Sequence, residues 1–263
     1  MKIWSKQELI DRLKEIREMD WIEGGRHGND GSVGNTVEDI LGIEENNLPI
    51  PNASEWELKC QRFNKKGVAN SLTTLFHIEP SPRACKIVPQ VLLPKYGWAH
   101  KESGKKYPLG EMSFRQTLRT ARTDRGFRVE VNRPENKIEI SFDSDSVSAR
   151  HKDWLDSVRE RAGIKELVPK PYWGIEELFH KAGTKMLNSF YMGAFSKKID
   201  DKEYFKYTKI LKLTNFSKDK FISALEEGTI FVDFDARTGH NHGTKFRIKA
   251  GRIIDLYEDV EEF

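Results

Sequence analysis

Residues 51–59, with the sequence PNASEWELK, carry the pattern on which the interpretation of this chain depends. Apolar and polar side chains alternate here, and a period of two predicts a β-strand over residues 55–62. One face of the strand is then apolar, and the other presents Glu57 beside Lys59. Such a pair can hold a divalent cation and stabilise an attacking hydroxide, and it is equally typical of an ordinary surface ion pair.

A short helix is predicted just before this strand, within the sequence GSVGNTVEDILG of residues 31–42. Asn35 is the expected N-cap, residues 36–41 form the helix, and Gly42 ends it. Glu38 lies on this helix. It faces the strand, or it completes a capping box with Asn35 three residues earlier.

The order of a glycine-rich loop, a helix with Glu38, a polar loop and a strand with Glu57 and Lys59 resembles the MvaI/BcnI family of MutH-like restriction endonucleases. The similarity is densest in residues 24–62, and it reappears in residues 234–247. The resemblance implies an α/β fold with a restriction-endonuclease-like PD-(D/E)XK core. That core is a mixed central sheet flanked by helices, with a DNA-binding cleft.

The resemblance also implies an active site that uses Mg²⁺. Its four catalytic positions fall on Glu38, Asn52, Glu57 and Lys59, and Glu57, the Leu58 carbonyl, Asn52 and Glu38 would surround the metal. Asn52 departs from the family, because a neutral amide stands where an acidic ligand is expected. It is either a natural variant compensated by Glu55 or Glu45, or an engineered inactivation.

A second cluster lies between two predicted strands near the end of the sequence: Arg237, His240, His242, Lys245 and Arg247. Arginine and lysine can bridge the O6 and N7 atoms of guanine in the major groove, so this loop is a candidate for reading bases. A solvated loop is the alternative. The His-x-His spacing also leaves a zinc site open.

Further candidates for DNA contact lie outside that loop. Arg26 and His27 stand among glycines and either clamp the DNA backbone or belong to a flexible connector. His77 either reaches the central base pair, packs, or touches a phosphate. Three arginines recur at helical spacing and are expected to line one wall of the cleft: Arg115, Arg119 and Arg122.

The composition bounds the class of protein. The chain has 263 residues, enough for one domain or two, and 44 Lys and Arg against 41 Asp and Glu. Net charge is therefore uninformative, but cations concentrate in residues 101–133 and 181–220 and acids in the last twelve residues. This segregation suits a positively lined cleft with acidic outer walls, or a solvated lysine-rich surface. Two cysteines and no long apolar run predict a reduced, cytoplasmic protein without a membrane segment.

We expect a single nuclease chain with two possible lobes around a cleft. A catalytic lobe would comprise residues of about 1–150 plus the C-terminal strands, and a DNA-recognition lobe residues of about 150–263. Helices are predicted at residues 5–19, 149–162, 174–190 and 217–227. Strands are predicted at residues 71–78, beside the catalytic strand, and at 127–131, 137–142, 205–213, 229–235, 245–249 and 252–257.

The leading functional hypothesis is a Type II restriction endonuclease that binds double-stranded DNA as a monomer. The resemblance implies a short CC-N-GG-like site, cleavage of one strand at a time, and a partner DNA methyltransferase acting on the same site. One rival is a MutH-like nicking enzyme of mismatch repair, which works only when recruited. The other is a sequence-specific DNA-binding protein whose catalytic site is crippled at Asn52.

Overall fold

The computed structural model describes residues 4–25, 31–43, 55–69, 71–163 and 166–263, and shows a mixed α/β fold. The helices are α1 (Lys6–Glu18), α2 (Ser32–Leu41), α3 (Leu93–Tyr96), α4 (Lys152–Ala162), α5 (Ile175–Met186) and α6 (Lys218–Glu226). The strands are β1 (Ile22–Glu23), β2 (Glu57–Phe63), β3 (Thr73–His77), β4 (Trp98–Ala99), β5 (Met112–Leu118), β6 (Arg125–Asn132), β7 (Lys137–Val147), β8 (Tyr172–Gly174), β9 (Asn188–Ile199), β10 (Lys202–Phe216), β11 (Ile230–Arg237), β12 (His240–Asn241), β13 (Lys245–Ile248) and β14 (Tyr257–Glu262). None of the described helices is long and apolar enough to cross a membrane.

The chain forms two compact units, and both are discontinuous in sequence. The first comprises residues 1–73, 179–220 and 249–263, and the second comprises residues 74–178 and 221–248. Which unit carries out catalysis and which recognises DNA stays a prediction.

The first unit is built on a mixed sheet with the strand order β1-β10-β9-β2, and β14 also pairs with β10. β2 runs parallel to β9, and the other pairs are antiparallel. Trp56, just before β2, and Leu58 of β2 are buried with Val37 and Leu41 of α2, and Cys60 packs against the same core. The predicted apolar face of residues 55–62 is confirmed.

Helix α1 covers this core as the sequence predicts. Ser5 and Glu8 form the expected capping box, which satisfies free backbone N–H groups at the start of the helix. Leu9, Leu13 and Ile16 are fully buried. Burying each of these side chains contributes about 1.5–3 kcal/mol of stability, and this holds α1 against the sheet.

The second unit contains two sheets. One has the strand order β3-β13-β11-β5-β4, with β12 pairing β11, and the other has the order β6-β7-β8. The predicted hairpin of β6 and β7 is confirmed. Its register shifts between Arg125 and Phe127, where Gly126 has a φ of 75°. A Cβ on Gly126 would lie 2.2 Å from the carbonyl oxygen of Asp143, so only glycine fits this bulge.

Four predictions about elements are wrong. Residues 112–118 form β5, so Arg115 lies on a strand and not on a helical face with Arg119 and Arg122. The helix predicted to end at residue 190 ends at Met186, and β9 follows it. Residues 253–256 form a 3₁₀ turn before β14. β2 and β3 belong to different sheets, because β2 pairs with β9.

Candidate functional site

Glu57 is the first residue of β2, and its side chain is 2% exposed. Its neighbour in the parallel β2–β9 register is Ser189. Lys59, two residues along the same strand, donates a hydrogen bond from Nζ to Glu57 Oε1 at 2.7 Å. The alternation of the strand brings these two side chains to one face, and the pair is too buried to be the surface ion pair considered above.

A second ammonium group approaches the same carboxylate. Lys185, in the last turn of α5, places its Nζ 3.6 Å from Glu57 Oε1, and its side chain is 22% exposed. Sequence analysis missed Lys185, because a lysine near the end of a predicted helix carries no local signal that its partner is Glu57. We use "Glu57 centre" for Glu57, Lys59, Lys185, Ser189 and Tyr257.

Neutral polar groups complete the centre. The hydroxyl groups of Ser189 and Tyr257 are hydrogen-bonded at 2.7 Å, and both residues are buried. Burial raises the pKa of the Tyr257 hydroxyl, and the negative charge of Glu57 raises it further, although the hydrogen bond to Ser189 lowers it. The phenol therefore stays protonated and neutral, and the single negative charge of Glu57 faces the two positive charges of Lys59 and Lys185.

Glu57 has one oxygen left for a ligand. Its Oε2 is buried and accepts no hydrogen bond within the described part of the chain. An unsatisfied buried carboxylate oxygen is costly, and a hard oxygen of this kind is the ligand that Mg²⁺ prefers. The described residues contain no group of three or more His, Cys, Asp or Glu that could hold a metal ion. Asn52, Glu45, Arg26 and His27 lie outside the described residues, and their predicted roles stay predictions.

Glu38 lies in the interior of α2, not at its start. The helix begins at Ser32 with Gly31 as N-cap, so the capping-box alternative with Asn35 is wrong, whereas the stop at Gly42 is confirmed. Burial raises the pKa of the Cys60 thiol, the charge of Glu38 raises it further, and the charge of Lys59 lowers it. The charges of Glu38 and Lys59 both act on Cys60 of β2, and helix α2, which carries Glu38, packs against β2.

A polar network fixes α2 on the sheet. Arg62 of β2 donates from Nε and Nη2 to the two carboxylate oxygens of Glu203 on β10, at 3.0 and 2.9 Å. Ser32, at the start of α2, donates to Glu203 Oε2 at 2.8 Å. The hydroxyl of Tyr207 donates to the carbonyl of Val33 at 2.7 Å. The bidentate Arg62–Glu203 ion pair joins β2 to β10, and the contacts of Ser32 and Val33 attach α2, which carries Glu38, to this network.

The second unit contains a cavity of about 370 Å³ that we name the cationic cavity. Among the residues lining it are three predicted DNA contacts, Arg115, Arg237 and His242, which the fold thus brings together. Sequence analysis did not place four others in the site: His100, Lys101, Lys106 and Tyr107. The concentration of Lys and Arg in residues 101–133 is the signal that could have found the two lysines.

The guanidinium groups of the cationic cavity are held in place by carboxylates. Arg237 Nη1 lies 3.1 Å from Glu111 Oε1, and the guanidinium carbon lies 4.5 Å from the centre of the Tyr107 ring. Arg115 Nε donates to Asp235 Oδ1 at 2.7 Å. Stacking and carboxylate contacts reduce the entropy lost when an arginine binds a planar group.

The remaining candidates of the loop lie nearby. The ring nitrogens of His240 and His242 approach to 3.3 Å. Arg247 Nη1 lies 3.1 Å from Asp233 Oδ2, and Lys245 is the partner of Asp233 in the β11–β13 register. His77 is exposed at the end of β3, and a Cβ built on Gly243 would lie 3.9 Å from its Nδ1. His77 thus lies next to the turn after His242.

Arg119 and lysines of residues 181–220 are not placed as the sequence predicted. Arg119 is exposed beyond the end of β5, where its carbonyl accepts a hydrogen bond from Val129. Lysines of β10 and α6 form ion pairs with the acidic strand β14, including Lys209–Glu262 at 3.5 Å and Lys220–Glu258 at 2.9 Å. The charges that are segregated in the sequence are therefore paired in space at these positions, and these lysines do not form a positive lining.

A buried Glu–Lys pair on a sheet strand, whose carboxylate oxygen Oε2 accepts no hydrogen bond from the described residues, is the arrangement that the resemblance to restriction endonucleases leads us to expect. Sequence comparison agrees: the MvaI/BcnI restriction endonuclease family matches residues 10–257. The chain therefore belongs to the MvaI/BcnI restriction endonuclease family, as the resemblance predicted, and membership implies a site-specific endonuclease.

Solved structures confirm the fold class. The chain is similar to the restriction endonuclease MvaI in complex with its cognate DNA substrate, with a TM-score of 0.75 and 23% identity over 98% of this chain and 99% of that chain. It is also similar to MvaI in the absence of DNA, with a TM-score of 0.51 and 22% identity over 100% and 99% of the two chains. A comparison with curated proteins gave no match.

Proposed function

We propose that this chain is a Mg²⁺-dependent Type II restriction endonuclease that hydrolyses phosphodiester bonds in double-stranded DNA. The observation that carries the proposal is the buried Glu57–Lys59 pair, with Glu57 Oε2 left without a hydrogen bond among the described residues, in a chain of this family. The resemblance of residues 24–62 and 234–247 to the family supports a CC-N-GG-like target. It likewise supports cleavage of one strand at a time by a monomer.

Residues of the Glu57 centre and its neighbours have distinct parts in this mechanism. Glu57, the Leu58 carbonyl, Glu38 and the position of Asn52 would hold Mg²⁺, which as a Lewis acid lowers the cost of charge on the phosphate oxygens. Lys59 holds the attacking water in line with the phosphorus and offsets the negative charge that grows on the phosphorane. Ser189 and Tyr257, which are buried and hydrogen-bonded to each other, add no charge beside Glu57.

Sequence recognition is assigned to the cationic cavity. The MvaI structure to which the chain is similar holds a cognate DNA substrate, and we extend double-stranded DNA binding to this chain. Arg237, pre-oriented by Glu111 and Tyr107, is the residue best placed to read a guanine edge. Arg115, His242, Lys245, Arg247 and His77 are the further candidates. A DNA methyltransferase acting on the same site would protect the host DNA.

Asn52 favours a second candidate, a sequence-specific DNA-binding protein without cleavage. An amide in place of an acidic ligand weakens the hold on a divalent cation. The ion pair between Lys59 and Glu57 argues against decay, because a centre that no longer cleaves has no need of a buried lysine. A MutH-like nicking enzyme shares the chemistry but would require recruitment.

Plasmid digestion with Mg²⁺, followed by sequencing of the ends, separates these candidates. We expect Asn52→Asp to cleave faster than the protein as it stands by orders of magnitude, with little change in DNA binding, because the new carboxylate adds charge to the metal site. Equal rates at saturating Mg²⁺ would show that Glu55 or Glu45 already fills the role. Complete absence of cleavage by both proteins would favour the binding protein.

A further inference from the structure

We propose that Lys185 is a positioning residue of the Glu57 centre, whose ammonium group competes with the divalent cation for Glu57 and so sets how tightly the cation binds. The inference rests on the proposed function, since it assumes that Glu57 is a cation ligand. The Glu57–Lys59 pair alone would bind the divalent cation more tightly, and Lys185, in the last turn of α5, lowers this affinity.

The geometry places two cations on one carboxylate oxygen. Lys59 Nζ lies 2.7 Å and Lys185 Nζ 3.6 Å from Glu57 Oε1. Lys59 makes the hydrogen bond, whereas Lys185 is held at the longer distance of a looser ion pair. Lys185 is therefore the group that can withdraw when a cation arrives, and Lys59 is the group that stays.

The charge balance makes the competition effective. Glu57 is 2% exposed, so water screens its surroundings poorly and nearby charges act strongly on one another. One carboxylate with two ammonium groups carries a net positive charge, and the neighbouring phenol of Tyr257 is neutral. An incoming divalent cation meets this positive charge, and removing Lys185 removes part of the repulsion.

A purely structural role for Lys185 makes a different prediction. A lysine in the last turn of a helix interacts favourably with the helix dipole, and this interaction stabilises α5. That role affects the stability of the helix and leaves the affinity for a cation unchanged. Cation affinity therefore distinguishes the two roles.

The test is direct titration of the full chain with Mn²⁺, a spectroscopic probe for Mg²⁺, without DNA. We expect Lys185→Gln and Lys185→Met to bind Mn²⁺ about tenfold more tightly than the unchanged protein. Lys185→Arg keeps a positively charged side chain at this position, and this variant should bind Mn²⁺ as tightly as the unchanged protein does. Lys209→Gln is the matched control, because Lys209 forms an ion pair of 3.5 Å with Glu262 in the same unit.

Three outcomes are informative. Unchanged or weaker binding by both neutral variants, with intact thermal unfolding, overturns the role of Lys185 and leaves the proposed function standing. Tighter binding that persists when Glu57→Gln is added shows that Lys185 does not act through Glu57, which also overturns it. If neither the unchanged chain nor any variant shows saturable Mn²⁺ binding, Glu57 is not a cation ligand, and the metal-dependent part of the proposed function fails as well.

Discussion

Glu57 and Lys59 form an ion pair that is almost fully removed from water, with exposed fractions of 2% and 15%. Removing one partner of a buried pair normally leaves an uncompensated charge and costs about 3–5 kcal/mol of stability. Here Lys185 remains beside Glu57 when Lys59 is lost. Substitution of Lys59 should therefore lower the rate of DNA cleavage strongly and the stability of the fold only slightly.

We expect Lys59→Ala to lower the single-turnover cleavage rate by at least about 10²–10³-fold, because the growing charge on the phosphate loses its cation. Specific DNA binding without Mg²⁺ should stay within a few-fold of the unchanged protein. Lys206→Ala, which removes an exposed pair with Asp20, is the control. Normal cleavage by Lys59→Ala would exclude Lys59 from the reaction.

The residues of the centre differ in how far the sequence reveals them. Glu57 and Lys59 could be predicted, because strand alternation alone puts both on one face. Lys185, Ser189 and Tyr257 could not, because their positions follow from the parallel pairing of β2 with β9 and from the site where β14 joins β10. Pairing between distant segments leaves no local signal in the sequence.

At the scale of elements, the turn between β11 and β13 concentrates the candidate base-reading groups. Arg237→Ala should weaken binding to cognate DNA by about 1–3 kcal/mol and binding to random DNA far less, because it removes a contact to a base edge. Lys198→Ala should weaken both alike and lower the salt dependence. Paired titrations on cognate and scrambled duplexes at several salt concentrations measure both effects.

Equal loss of cognate and random binding by Arg237→Ala and Arg247→Ala would show instead that this turn clamps the DNA backbone. Base reading would then have to be sought around His77 and the arginines of residues 115–128. Neither result would change the assignment of the Glu57 centre, which lies in the other compact unit.

The bulge in the β6–β7 hairpin makes a prediction about stability. Gly126→Ala should lower the free energy of unfolding by at least about 2 kcal/mol, because it adds a contact of 2.2 Å with Asp143 to the strain of a positive φ. Gly251→Ala carries the strain of a φ of 73° alone, with no described atom within 4 Å of the new Cβ, and should cost about 1 kcal/mol. Denaturant unfolding of both variants checks the difference.

Elements where several local signals coincide could be predicted. The capped helix α1 and the β6–β7 hairpin were predicted because caps, turns and apolar periods coincide there. β5 was mistaken for part of a helical face because Arg115, Arg119 and Arg122 happen to recur at helical spacing, although only Arg115 lies on this strand. Phe114 and Leu118 of β5 are buried and Arg115 and Thr117 are exposed, so the strand has its period of two, and the spacing of the arginines drew attention away from it.

At the scale of the molecule, the proposed monomer has one Glu57 centre and must cut the two DNA strands in separate events. A supercoiled plasmid with one site should therefore pass through a nicked circle before it becomes linear, with enzyme in excess of DNA. Gel electrophoresis over time measures this, and sedimentation checks the monomer. Direct conversion to linear DNA by a dimer would contradict the proposal.

The discontinuity of the first unit has a consequence for synthesis on the ribosome. A nascent chain that has emerged as far as residue 178 carries Glu57 and Lys59. It lacks the neighbouring strand β9, the ammonium group of Lys185 and the side chain of Tyr257. The centre can assemble only when the chain up to Tyr257 is available. For a protein that cuts DNA as proposed, we therefore expect translation products that end before β9 to lack cleavage activity.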